Sequence, residues 1–179
     1  MNKQEFLAMS LPHELKFMLV ADIRDDFEDE PIYTTGAIWE LIGVNILKDL
    51  YISVGEGDLG DLYRNGNNWL SIESGLKPIL HPLSDLTKPI EHKGEKFVPI
   101  LKLALYPAME LMGVGYEKKS YYAGFKYGED IIRFTIPSDA NSMDFFTVQK
   151  LIEWHFDVAD LISKNEAIDV NTLETNPYK

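Results

Sequence analysis

Short apolar runs broken by charged or glycine-dense stretches fill the first 75 residues, and longer helical stripes take over further along. Residues 15–22 (LKFMLVAD), 32–42 (IYTTGAIWELI), 49–54 (DLYISV) and 69–74 (WLSIES) are short and rich in β-branched and aromatic types. Runs of this kind between turn-forming clusters predict strands, so an antiparallel meander is expected over 1–75, preceded by a helical turn at 3–9. The strongest β pattern is 119–137 (KSYYAGFKYGEDIIRFTIP), where two aromatic and β-branched runs flank Tyr127-Gly128-Glu129-Asp130 and predict a hairpin. Residues 143–164 carry Phe145, Val148, Ile152, Ala159 and Ile162 on one stripe, widened by Leu151, Trp154, Val158 and Leu161. Gln149, Glu153, Asp157, Asp160 and Lys164 lie opposite, which predicts an amphipathic helix capped by Asn141 or Ser142. A second helix is predicted over 97–112, with Pro99 at its start, Gly113 as its stop and Pro107 kinking or splitting it.

Between these parts, residues 76–90 (LKPILHPLSDLTKPI) contain Pro78, Pro82 and Pro89, which argues against a regular helix or a central strand. Ile79, Leu80, Leu83, Leu86 and Ile90 make this an ordered, apolar connector. The end, EAIDVNTLETNPYK, reads as a loop with a short strand at IDV and a frayed tail. The expected architecture is a single α+β domain over 1–179. It comprises a β-rich part (1–75), a proline-rich connector (76–96) and a helix–hairpin–helix part (97–179). An antiparallel sheet, built from the meander and the 119–136 hairpin, is covered by two main helices.

Composition narrows the classes. With 179 residues, 45% of them apolar, the chain can bury a substantial core. No apolar run approaches the roughly 18 residues of a membrane helix, and the start lacks the basic-then-apolar order of a secretory signal. There is no cysteine, which removes disulfides, thiolate metal sites and thiol nucleophiles, and fits a cytoplasmic setting. Seventeen basic residues against 29 acidic ones give a net charge of −12, with the basic residues scattered and Lys118-Lys119 their densest pair. Direct nucleic-acid binding needs clustered cations and is not expected. The acidity serves solubility, or, in a sharper reading, lets the surface imitate DNA and occupy a basic partner.

Motif spacing removes several chemistries. Gly55-Glu56-Gly57-Asp58-Leu59-Gly60 matches the dinucleotide fingerprint letter for letter, but DLYRNGNN follows it, so no helix N-terminus is available for a pyrophosphate, and three acids stand where phosphate would lie. The acidic turns DDFEDE and GEGDLGDLYRNGN do not keep calcium-loop spacing. His13, His81, His92 and His155 form no local zinc half-site, and no metal or cofactor is expected. His92 lies in the polar run IEHKGEKF and reads as a surface residue. His155 falls on the apolar side of the last helix beside Trp154 and reads as a hydrogen-bonded core histidine, with a functional role as the alternative. Ser84 and Asp85 beside His81 suggest a local cap or turn in which one of them bonds backbone N–H groups, not a nucleophilic triad.

Two stretches resemble a known group. KPILHPLSDLTKPIEHKGEKFVPI (77–100) and LIEWHFDVADLISKNEAIDVNTL (151–173) are similar to segments of small uncharacterised proteins encoded by phages and prophages of gut bacteria, in which an arginine is common where this chain has His81. The resemblance implies a mobile-element origin, a bacterial cytoplasmic setting and an α+β fold, and no catalytic residues. The leading expectation is therefore a non-enzymatic accessory protein that binds a host or phage protein, with His155, Trp154, His81 and His92 as the residues to watch. The alternatives are a DNA-mimicking inhibitor and an enzyme with a carboxylate–histidine site near His155 or His92.

Overall fold

A computed structural model of the chain describes residues 1–20, 23–24, 31–33, 36, 38–45, 51–55, 69–71, 75–106 and 109–179. It is a mixed α/β structure with several antiparallel sheets and three α-helices among the described residues. Helix α1 (Lys3–Ser10) opens with a capping box: Asn2 Oδ1 accepts the amide of Glu5 at 2.8 Å and the Glu5 carboxylate accepts the amide of Asn2 at 2.9 Å. The chain then runs through β1 (Lys16–Leu19), β2 (Ile23–Arg24), β3 (Pro31–Tyr33), β4 (Ile38–Asn45), β5 (Tyr51–Gly55) and β6 (Trp69–Ser71). Strands β1, β4, β5 and β6 pair antiparallel in that order, giving the meander expected over 1–75. The charged run 25–30 and the glycine-rich run 56–68, with the dinucleotide-like motif beyond Gly55 and both acidic turns, lie outside the described residues, as does Pro107.

The proline-rich connector differs from expectation. Its first part is strand β7 (Leu76–Leu80), which pairs antiparallel with β1 on one side and parallel with β13 (Ile168–Asp169) on the other. The sheet order is β13-β7-β1-β4-β5-β6. Register explains how a proline fits there. The amide of Val20 bonds the carbonyl of Gly75, and bonded pairs alternate along an antiparallel ladder, so Pro78, opposite Phe17, occupies a non-bonded position toward β1. Its missing N–H points to the other side, where β13 begins opposite Ile79. Beyond it come a 3-10 turn (Leu83–Thr87) and a tight hairpin of β8 (Ile90–His92) and β9 (Glu95–Phe97) around Lys93-Gly94, both at positive φ.

The two long helices are corrected. Helix α2 spans Pro99–Ala104 only, and the last three residues of the expected helix, 110–112, begin strand β10 (Glu110–Glu117). The predicted hairpin, β11 (Ser120–Tyr127) and β12 (Asp130–Pro137), turns at Gly128-Glu129 as expected. It joins β10 in a separate three-stranded sheet instead of extending the meander. Helix α3 spans Phe145–Glu153, and Asp144, not Asn141 or Ser142, caps it through the amide of Thr147 at 2.9 Å. Residues 154–167 continue the apolar stripe as a non-helical loop, buried over 154–159 and at Leu161 and Ala167 and exposed at Asp160 and 163–165. The tail is anchored: Tyr178 is buried against Ile79 and Val170. The main core links Phe6 of α1, Phe17 of β1, Leu80 of β7, Ile100 of α2, Phe125 of β11, Leu151 of α3 and Phe156. No described helix is long and apolar enough to cross a membrane.

Candidate functional site

The end of α3 sets the geometry of the site. The amide of Phe156 bonds the carbonyl of Leu151 at 2.8 Å and the amide of His155 bonds that of Ile152 at 3.0 Å. This is the Schellman closure, and it places His155 in the left-handed region (φ 59), the conformation that normally selects glycine. The chain turns sharply out of the helix there, which is why the apolar stripe fails to continue as helix. Phe156 then forms a parallel bridge with His81 at the end of β7: the His81 amide bonds the His155 carbonyl at 2.8 Å and the Asp157 amide bonds the His81 carbonyl at 2.9 Å. Asp157 is buried, and its two oxygens accept the amides of Leu161 at 2.7 Å and Ile162 at 2.8 Å, folding the loop back on itself. Burial pushes the Asp157 carboxyl up from its ordinary value.

His155 is 1% exposed. Its Nε2 lies 2.6 Å from the carbonyl oxygen of His13. A carbonyl only accepts, so Nε2 carries the proton and Nδ1 presents a bare lone pair. The Tyr178 ring stacks on the imidazole at 4.1 Å and the His92 ring stands 5.1 Å away. Burial holds His155 down to about 3. His92 is lowered by burial and by the neighbouring Lys93, and His13 by its own burial. His92 therefore departs from expectation: the β8–β9 turn exposes Lys93 and Gly94 but turns His92 inward.

His81 is also buried, between the rings of Phe156 (5.4 Å) and Tyr178 (6.3 Å). Its Nδ1 lies 3.6 Å from Oδ2 of Asp85, an electrostatic contact longer than a hydrogen bond. Asp85 does not bond backbone amides as the sequence suggested. Its carboxylate accepts from Lys88 Nζ at 2.7 Å and Asn171 Nδ2 at 2.7 Å. Burial works to raise its pKa, but the contacts with His81, Asn171 and Lys88 prevail and hold it at about 2. Ser84 is exposed, so no Ser–His–Asp arrangement forms. Trp154 packs edge-on to Phe97 at 5.0 Å, with the Lys102 ammonium 4.1 Å from the Phe97 ring centre.

The four histidines, dispersed over 143 residues of sequence, are thus gathered around the end of α3 and the C-terminal tail. His92 and His155 line one cavity of about 280 Å³ with Glu14, Lys16, Lys93 and Tyr178. His81 and Asp85 line a neighbouring one of about 250 Å³, and Lys179 stands at both. His92 and Trp154 share a third, of about 410 Å³, with His13. Among the described residues, the buried side-chain nitrogens without a hydrogen-bond partner are both of His81, Nδ1 of His92 and Nδ1 of His155. No described group of three or more His, Asp or Glu side chains is placed to hold a metal ion. Sequence reasoning missed two contributors: Tyr178, whose one signal was an aromatic residue in a polar tail, and the His13 carbonyl, which had none. No family model, curated protein or solved structure matches the chain.

Proposed function

We propose that this chain is a phage or prophage accessory protein of the bacterial cytoplasm that acts by binding another protein, of host or phage origin. The observation that carries the reading is Leu105. It follows α2 in the left-handed region (φ 53), where glycine or asparagine is favoured, and its side chain is 71% exposed. A leucine there costs backbone strain and gains no burial, which is the mark of a residue kept for something outside the chain. Tyr106 follows, half-exposed and edge-on to Phe125 at 5.2 Å, and Leu111, also exposed, is the cross-strand partner of Phe125. Tyr106 and Leu111 thus both meet Phe125, a residue of the core, and Leu105 precedes Tyr106 directly in the chain. Phe145 and Phe146, both exposed at the start of α3, add to the exposed apolar surface.

The test is capture of partners from host lysate, with and without phage induction, by the native chain and by Leu105→Gly. The variant should unfold at equal or higher denaturant and lose the native chain's stoichiometric, salt-resistant partner. Equal capture by both would overturn the reading. A basic partner released by salt would favour the DNA-mimic alternative, which rests on the net charge of −12. The enzyme alternative draws its support from the cavity that holds His92, His155 and Glu14 together.

A further inference from the structure

Among the described residues, every hydrogen bond from segment 174–179 to the rest of the chain runs through Tyr178. Its hydroxyl joins the Lys16 amide at 3.1 Å to the Ile79 carbonyl at 2.6 Å, and its own carbonyl accepts the Lys93 amide at 3.1 Å. Glu174, Thr175 and Lys179 are exposed. The segment is a strap with a single fastening, and it is fastened over imidazoles. The Tyr178 ring stacks on that of His155, the His92 ring stands 5.1 Å from His155 on another side, and all three residues line the cavity of about 280 Å³. Both imidazoles are buried, and Nδ1 of each lacks a hydrogen-bond partner. A charged imidazole carries a proton on both nitrogens, so either ring, once protonated, would hold a buried N–H with no acceptor.

The carboxylates around these rings are already engaged. Glu14 is held by Lys93 at 3.1 Å, Glu40 by Lys16 at 2.6 Å, Glu153 by Lys150 at 2.7 Å and Glu95 by Lys102 at 2.5 Å. Asp85 accepts from Lys88 and Asn171 and stands by His81, and both oxygens of Asp157 accept backbone amides. Glu91 lines the neighbouring cavity with His81. The other ionisable neighbours, His13, His81 and Lys179, are cations when charged. The stacked phenol attracts a cation, but burial is the larger influence on His155. A proton there therefore needs water, which arrives either when the whole chain unfolds or when Tyr178 undocks. Undocking breaks three hydrogen bonds and uncovers one ring, and leaves the main core of Phe6, Phe17 and Phe156 in place, so it is the easier opening. We propose that segment 174–179 is an acid-released strap: in mildly acidic solution, protonation of His155 and His92 undocks Tyr178 and opens the histidine cavity while the rest of the fold stays intact.

The experiment is native-state hydrogen exchange of the whole chain by NMR at pH 7.5 and 5.0, each with and without low urea, with rates corrected for intrinsic exchange. The amides of Lys16 and Lys93 bond atoms of Tyr178 and report the strap, whereas the amide of Phe156, bonded to the Leu151 carbonyl, reports the core. His155, held at about 3 when closed, regains its ordinary 6.5 when open, so below 6.5 the open state binds the extra proton. From His155 alone the open fraction should rise by about 30-fold between the two pH values. Protection of Lys16 and Lys93 should fall by that factor, stay below that of Phe156 at both pH values, and be insensitive to low urea, the mark of an opening that exposes little surface. His155→Asn and, separately, His92→Gln should each shrink the fall. The proposal is overturned if the Lys16 and Lys93 amides exchange with the rate and urea dependence of Phe156, if their protection is the same at both pH values, or if both variants keep the full fall.

Discussion

Tyr178 donates its hydroxyl proton to the carbonyl oxygen of Ile79 at 2.6 Å, inside the β1–β7 ladder. The register Phe17↔Pro78, Met18↔Lys77, Leu19↔Leu76 makes Lys16 and Ile79 the next pair, at a position where a direct bond belongs. The phenol takes that place, accepting the Lys16 amide at 3.1 Å. Tyr178→Phe keeps the ring on His155 but strips both backbone groups of their partner. A loss of about 1–3 kcal/mol is expected, read from the urea midpoint. A change under about 0.5 kcal/mol, the size typical of surface positions, would mean that the tail frays after all.

Acid should weaken the fold through the histidines. The pKa of His155 in the folded chain, about 3, lies far below the ordinary 6.5, and those of His92 and His13 are lowered as well. Between those limits the unfolded chain binds more protons, so stability falls as pH drops below about 6.5, by up to about 1.4 kcal/mol per pH unit for each proton concerned. Above that pH these groups contribute no slope. Urea midpoints at pH 7.5 and 5.0 measure the difference. His155→Asn, which tolerates the left-handed backbone, should reduce the slope while lowering stability at pH 7.5.

Asp85 titrates lower. Its folded pKa of about 2 lies under the ordinary 3.8, so it stabilises the fold above about pH 4 and loses that contribution between about 4 and 2. Asp85→Asn should cost about 1–2 kcal/mol at pH 7 and flatten the acid limb of the stability curve in that window. An unchanged acid limb would show that the link from the 3-10 turn to Asn171 does not depend on charge.

The β10–β11 turn places Lys118 and Lys119 at φ 51 and 61, the geometry that favours Asn-Gly. Combining Lys118→Asn with Lys119→Gly should raise stability by about 1–2 kcal/mol, because the strain is relieved and only an exposed 3.9 Å ion pair between Lys118 and Glu117 is lost. The thermal midpoint gives the answer, and a decrease would refute the strain argument.

The parts of the fold that could be read from sequence are those with local causes. The meander and the 120–137 hairpin follow from alternation and turn residues. The short strand expected at IDV is β13, over Ile168–Asp169. The two helix ends differ from expectation for one reason: punctuation by residues that seldom punctuate. His155 and Leu105 end helices where glycine is expected, so the pattern alone predicts both helices longer than they are. The stripe through Val158 and Leu161 stayed apolar because a loop, not a helix, is buried there. Pro78 sits in a strand because its missing donor meets no acceptor, which only the register reveals. For the site, the sequence singles out His92 and His155 one at a time, but 63 positions separate them, and the tail and the His13 carbonyl that complete their surroundings carry no spacing that points to them.

The hydroxyl of Tyr178 meets a strand laid down 162 residues earlier. A pairing that distant is costly to close and late to form. During synthesis, β1 and β7 can lie side by side long before the phenol that joins their ends has been made. Until residue 178 arrives, the Lys16 amide and the Ile79 carbonyl lack that partner, and the histidine cavity lacks its aromatic wall. This corner of the fold is thus closed by a residue made well after both strands, and a nascent chain stalled short of it would present the imidazoles of His92 and His155 without Tyr178 over them.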